Sequence, residues 1–99
     1  MTAQPASPPT ATAATNVTSS GFNANWGGAG GASGYRLDVS PGSTFSGYVS
    51  GYQNLDVGNA LSAGVSGLSP GTTYYYRVRA YNGAGTSNSS NVVSATTSA

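Results

Sequence analysis

Leu68-Ser69-Pro70-Gly71-Thr72-Thr73-Tyr74-Tyr75-Tyr76-Arg77-Val78-Arg79-Ala80-Tyr81 is the stretch that decides the fold. Aromatic and β-branched residues are favoured in strands, and successive strand residues point to opposite faces. Tyr74, Tyr76, Val78 and Ala80 therefore share one face, and Tyr75, Arg77, Arg79 and Tyr81 share the other. Pro70-Gly71 ahead of this run is a turn signal, and Asn82-Gly83-Ala84-Gly85 behind it is a glycine-rich turn.

The same alternation recurs on both sides. In Phe22-Asn23-Ala24-Asn25-Trp26, the apolar Phe22, Ala24 and Trp26 face inward and the asparagines face water. Tyr35, Leu37 and Val39 form a second inward set, with Arg36 and Asp38 outward, before the Pro41-Gly42 turn. Leu61, Ala63 and Val65 alternate again and lead to Leu68. A first strand is expected near Thr10 to Val17 and a last one around Asn91 to Ala95. Between Ser43 and Asn59 the apolar residues Phe45, Tyr48, Val49, Tyr52, Leu55 and Val57 allow one or two short strands without fixing a register. Helical periodicity is sustained nowhere, so about seven short strands at this spacing predict an all-β sandwich.

Composition narrows the function classes. The 99 residues suit one domain, and ten aromatic residues argue for a packed core rather than disorder. Arg36, Asp38, Asp56, Arg77 and Arg79 are the only charged side chains, giving a net charge of +1. Three arginines are too few for nucleic-acid binding, which gains affinity with each phosphate neutralised. No polybasic run or long apolar stretch suits a membrane. Cysteine is absent, so there is no disulfide framework. Residues 1–9, with three prolines, read as linker, and 98–99 as the remnant of another, leaving 10–97 as the domain. Met1-Thr2-Ala3-Gln4 lacks the basic and apolar regions of a secretory signal, so Met1 reads as the start of an excised module.

Read together, these residues resemble a fibronectin type III domain, a seven-stranded immunoglobulin-like β-sandwich. Trp26 closing the second strand, Gly34-Tyr35-Arg36-Leu37 opening the third, the Leu68 to Tyr74 stretch, and Ala80-Tyr81-Asn82 before glycine and serine carry the likeness, which covers almost the whole chain. The variety looked most similar to is that of bacterial secreted proteins. The resemblance implies that Tyr74 is a tyrosine-corner residue whose hydroxyl meets a backbone group a few residues upstream. It implies a structural core of Phe22, Trp26, Tyr35, Leu37, Leu68, Tyr74, Tyr76 and Val78. It also implies an extracellular or cell-surface location. Two departures stand out: Thr44 to Asn59 is longer and more aromatic than usual, and the turn at Gly83-Ala84-Gly85-Thr86 carries no Arg-Gly-Asp tripeptide, so integrin binding is not implied.

Catalytic chemistry has little to work with. His, Cys, Glu and Lys, which most often serve as acids, bases or nucleophiles, are all missing. A carboxylate pair from Asp38 and Asp56 would need a cleft that a small sandwich rarely offers, and Asp38 is expected in solvent beside an arginine. The chain is therefore expected not to be an enzyme and to carry no cofactor. Asn54-Leu55-Asp56-Val57-Gly58-Asn59 places oxygens at alternate positions as calcium loops do, but with one acid it reads better as a turn.

Two surfaces compete as binding sites. The loops at 27–33, 58–60 and 82–88 are built of glycine, alanine and small polar residues, poor material for a binding hot spot. The outward face with Tyr75, Arg77, Arg79, Tyr81 and Arg36 has the residue types enriched at interfaces, yet the same residues also serve as a cross-strand ladder. The reading is a monomeric, non-catalytic spacer or accessory module of a secreted or cell-surface multidomain protein, whose partners are its neighbouring domains. The alternative is a module that binds protein or polysaccharide, including an engineered binding scaffold.

Overall fold

The computed structural model describes residues 8–99, so most of the expected linker at 1–9 lies outside it; of the rest, Pro8 is exposed and Pro9 buried. The chain forms β1 (Ala11–Thr15), β2 (Phe22–Trp26), β3 (Gly34–Ser40), β4 (Leu55–Gly58), β5 (Ser62–Val65), β6 (Thr73–Asn82), β7 (Gly85–Thr86) and β8 (Val93–Thr96). A three-stranded sheet has the order β1-β2-β5, and a larger sheet has β4-β3-β6-β7 with β8 also on β6; every pairing is antiparallel. The result is a two-layer sandwich with no helix among the described residues.

The inner faces meet as the alternation requires. Phe22 on β2 packs on Tyr76 of β6 with ring centroids 5.7 Å apart, and Trp26 on Tyr35 of β3 at 6.0 Å. Phe22, Trp26, Tyr35, Leu37, Leu68, Tyr74, Tyr76 and Val78 are all buried, together with Ala24, Val39, Val65, Ala80 and Ala95. The Ser69 backbone N–H donates to the Tyr74 hydroxyl at 2.9 Å, five residues upstream. The Tyr76 hydroxyl donates to the Thr12 carbonyl, and burial raises this phenol above its usual pKa. The Trp26 indole Nε1 is buried without a hydrogen-bond partner, so its ring packing must offset a desolvated donor costing about 1–3 kcal/mol.

The last strand shows why eight strands replace the expected seven. Between β7 and β8 the partner of β6 leaves the regular ladder. Ser87 and Ser90 still donate backbone N–H groups to the Ala80 and Val78 carbonyls. In return, their hydroxyls accept the Ala80 and Val78 N–H groups at 3.0 and 2.9 Å, where a regular strand would offer carbonyls. One strand is thus split into two, and its second half begins at Val93 rather than Asn91, with Val92 exposed. Asn91 instead reaches β1, accepting the Ala11 N–H and donating to the Ala11 carbonyl, which ties the two layers together.

Two other boundaries differ from expectation. The first strand spans Ala11–Thr15 rather than Thr10 to Val17, because its register shifts between Thr12 and Thr15 and Asn16 adopts a φ of 51°. Between Ser43 and Asn59 only Leu55–Gly58 is strand. Residues 41–54 form a strap folded back on the larger sheet, held where Val39 N–H donates to the Tyr52 carbonyl and Val49 N–H to the Val39 carbonyl.

The chain enters and leaves at opposite poles. Gly27 N–H, just past the end of β2, donates to the Thr10 carbonyl, whereas Ser98 N–H donates to the Thr18 carbonyl, ahead of the start of β2. The ten residues of β6 run between these poles, a length of roughly 33 Å at the usual rise per strand residue.

Candidate functional site: the outward face of the larger sheet

The register of β3, β4 and β6 brings every charged side chain onto one sheet. Arg36 stands opposite Arg79 on one side and Asp56 on the other, and Asp38 stands opposite Arg77. Alternation turns all five away from the sandwich interior. Tyr75 and Tyr81 extend the face along β6, opposite Ser40 and Gly34. The five residues proposed as a binding face are all half-buried, so this face is neither core nor fully open surface.

Asp38 corrects the sequence reading. It was expected in solvent, yet it is 1% exposed. Its carboxylate accepts from Arg77 Nε at 3.0 Å, from Arg79 Nη2 at 3.2 Å, and from the Asn54 backbone N–H at 2.6 Å. A buried carboxylate without such partners would carry a large desolvation cost. The strap supplies the cover: Asn54, at a φ of 54°, presents its N–H to Asp38 while its Oδ1 accepts from Arg79 Nη2 at 2.7 Å.

Phe45 supports Arg77. Its ring is buried beneath the Arg77 guanidinium, whose carbon lies 4.2 Å from the ring centroid, and Tyr48 packs beside it at 6.3 Å. The Tyr48 hydroxyl accepts from Arg77 Nη2 at 3.4 Å. Phe45 holds this position at a φ of 54°, a conformation uncommon for a bulky residue. Its cation–π contact and burial offset that strain. Arg79 Nε remains buried without a partner, so the arginine heads are drawn inward without being fully satisfied.

The second cluster lies nearer the turn after β6. Arg36 stacks on the Tyr81 ring at 4.6 Å, and the Tyr81 hydroxyl donates to Asp56 Oδ1 at 2.8 Å. Asp56 also accepts the Gly58 N–H at 2.9 Å. The Gly58 backbone bond, the Tyr81 hydroxyl and the nearby Arg36 charge together hold the Asp56 pKa below its ordinary value. The same hydrogen bond favours the neutral Tyr81 phenol and raises its pKa. Gly34 is what lets Tyr81 lie flat here, because a Cβ on Gly34 would collide with the phenol ring and hydroxyl.

These bonds also describe the stretch from Asn54 to Asn59. Asn54 Oδ1 accepts from Arg79 and Asp56 Oδ1 from Tyr81 and Gly58, and the stretch is mostly the strand Leu55–Gly58 rather than the expected turn, with positive φ confined to Asn54 and Gly58. Among the described residues no three acidic, histidine or cysteine side chains cluster as metal ligands. Of the loops weighed as a recognition end, 27–33 and 82–88 meet where Asn82 Nδ2 donates to the Gly31 carbonyl.

A family model described as fibronectin type III domain matches residues 7–96. The chain belongs to this family. A solved structure similar to it is the fibronectin type III domain of human fibronectin type III domain containing protein 3. It is 26% identical, with 99% of this chain and 91% of that one covered and a TM-score of 0.79. The FN5 domain of Drosophila Lar is 22% identical, with 95% and 98% covered and a TM-score of 0.72. The FN1-FN3 domains of chicken CNTN1 are 22% identical, with 95% of this chain but 33% of that one covered and a TM-score of 0.71. No curated protein sequence matches the chain. Fibronectin type III domains are non-enzymatic units that commonly serve as structural or binding modules of multidomain proteins, often outside the cell.

Sequence reasoning missed Phe45, Tyr48 and Asn54 as members of this face. One signal could have found them. With only five charges on the chain, a carboxylate beside two arginines on adjacent strands is a neutralised cluster, and the aromatic loop that follows Asp38 is the nearest segment able to cover it.

Proposed function

We propose that this fibronectin type III domain is a non-catalytic structural spacer or accessory module of a secreted or cell-surface multidomain protein, working as a monomer beside its neighbouring domains. The observation that carries this reading is the commitment of Arg77 and Arg79 to the buried Asp38. The cationic heads that would grip a partner are tied to Asp38, with Arg77 stacked on the buried Phe45 ring and Arg79 bonded to Asn54. Entry and exit at opposite poles give such a module a length to contribute between its neighbours.

The competing reading, a domain that binds protein or polysaccharide, would have to use Tyr75, Tyr81 and Arg36. Tyr81 and Arg36 are already stacked on each other and tied to Asp56. A titration of the ¹⁵N-labelled domain with soluble polysaccharides and candidate protein partners separates the two. The spacer reading expects no saturable shift on this face, whereas clustered, saturable shifts at Tyr75, Arg77 and Tyr81 would replace it with a binding function.

A further inference from the structure

The outer edge of β5 has an unusual guard. Phe22 and Ala24 stand opposite Val65 and Ala63, and Trp26 N–H donates to the Leu61 carbonyl. The backbone groups of Leu61, Ala63 and Val65 therefore point to β2, and those of Ser62, Gly64 and Ser66 point away from the sheet. One step of that outward row is filled by a side chain. The Tyr52 hydroxyl donates to the Gly64 carbonyl at 3.3 Å and accepts the Ser66 N–H at 3.1 Å. A single phenol thus occupies the place that a residue of an adjacent strand would take.

Tyr52 belongs to the strap, not to this sheet. Its carbonyl accepts from Val39 N–H on β3 and its N–H donates to Val49, while two residues on Asn54 is bonded to Asp38. The guard is therefore anchored in the larger sheet and reaches across the open side of the sandwich. Behind it, the short edge carries neither of the side-chain deterrents to pairing, charge or proline. Ser62-Ala63-Gly64-Val65 contains no charge and no proline. All five charged residues lie on strands of the other sheet, so two such edges can approach without bringing like charges together.

We propose that the outer edge of β5 is a strand-pairing surface for a second copy of this chain, kept closed by the Tyr52 hydroxyl while the strap stays docked. Two copies would join β5 to β5, antiparallel about a two-fold axis, making one continuous six-stranded sheet from two three-stranded ones.

Tyr52→Phe tests this by removing only the hydroxyl, with the indole fluorescence of Trp26 confirming the fold. Sedimentation velocity across a concentration series should show the wild-type chain as a monomer and Tyr52→Phe in concentration-dependent exchange with a dimer. At dilutions where the variant is monomeric, the Ser66 amide should exchange about fivefold faster, the equivalent of one lost hydrogen bond. Adding Gly64→Pro, which removes an outward N–H, should return the variant to monomer. A Tyr52→Phe chain that stays monomeric at every concentration would overturn the proposal. So would a dimer that survives Gly64→Pro, because its contact would then lie elsewhere.

Discussion

The two faces of β6 differ in what holds them. Tyr74, Tyr76, Val78 and Ala80 pack against residues that alternate in the same way on β2 and β3, so each inward side chain meets another apolar group. Tyr75, Arg77, Arg79 and Tyr81 alternate as regularly, but the two arginines take their partners from a carboxylate on β3 and from a strap between β3 and β4 that has no strand period, and Tyr81 takes its own from Arg36 and from Asp56 on β4. One strand thus carries a face secured by area and a face secured by specific bonds. The inner face should tolerate changes that preserve volume and fail on truncation. The outer face should instead fail whenever a bonding group of its hub is lost, even when volume is preserved.

The largest effect is expected on the inner layer. Trp26→Ala opens a cavity beside Tyr35 and should lower stability by about 3–5 kcal/mol, measured by urea denaturation. A loss below about 1 kcal/mol would erase the distinction between the faces. Next comes the hub: Asp38→Ala strands two arginines and the Asn54 N–H. Breaking a fully buried pair costs about 3–5 kcal/mol, and with each arginine about a quarter exposed a loss near 2 kcal/mol is expected. New disorder of residues 41–54 should accompany it, visible as loss of the Phe45 and Tyr48 ring shifts.

Tyr74→Phe removes only the hydroxyl that accepts the Ser69 N–H and should cost about 1 kcal/mol. The smallest effect concerns pH. Asp56 has its pKa lowered on folding, so its contribution is present above the ordinary carboxylate value and is lost as pH falls through the depressed one. Tyr81 has its pKa raised, so its contribution is present below the ordinary phenol value and is lost as pH rises through the elevated one. Tyr81→Phe should flatten both ends of the melting-temperature profile, and an unchanged profile would detach this pair from the face.

The inner face was legible because burial follows a period of two that the residues state directly. Phe22, Trp26, Leu37 and Val78 need no knowledge of distant chain to be placed. The outer face was only half legible. Its strand residues could be read, but Asp38 looked exposed because nothing local to Arg36-Leu37-Asp38 reveals the bonds that Asn54, Arg77 and Arg79 make to it. A strap held by left-handed Phe45 and Asn54 and by single backbone bonds to Val39 leaves no periodic trace. The split of the last strand escaped for a similar reason, since Ser87 and Ser90 substitute hydroxyls for ladder carbonyls without any apolar alternation.

A double-mutant cycle on Asp38 and Arg77, with Asp38→Ala, Arg77→Ala and the double variant compared by urea denaturation, asks most directly whether the outward face is internal architecture. The two losses should fall short of additivity by about 1 kcal/mol or more, as expected for groups sharing a partly buried ion pair. Losses that simply add, to within about 0.5 kcal/mol, would mean that Arg77 is energetically free of Asp38 and that this face is open to a partner after all.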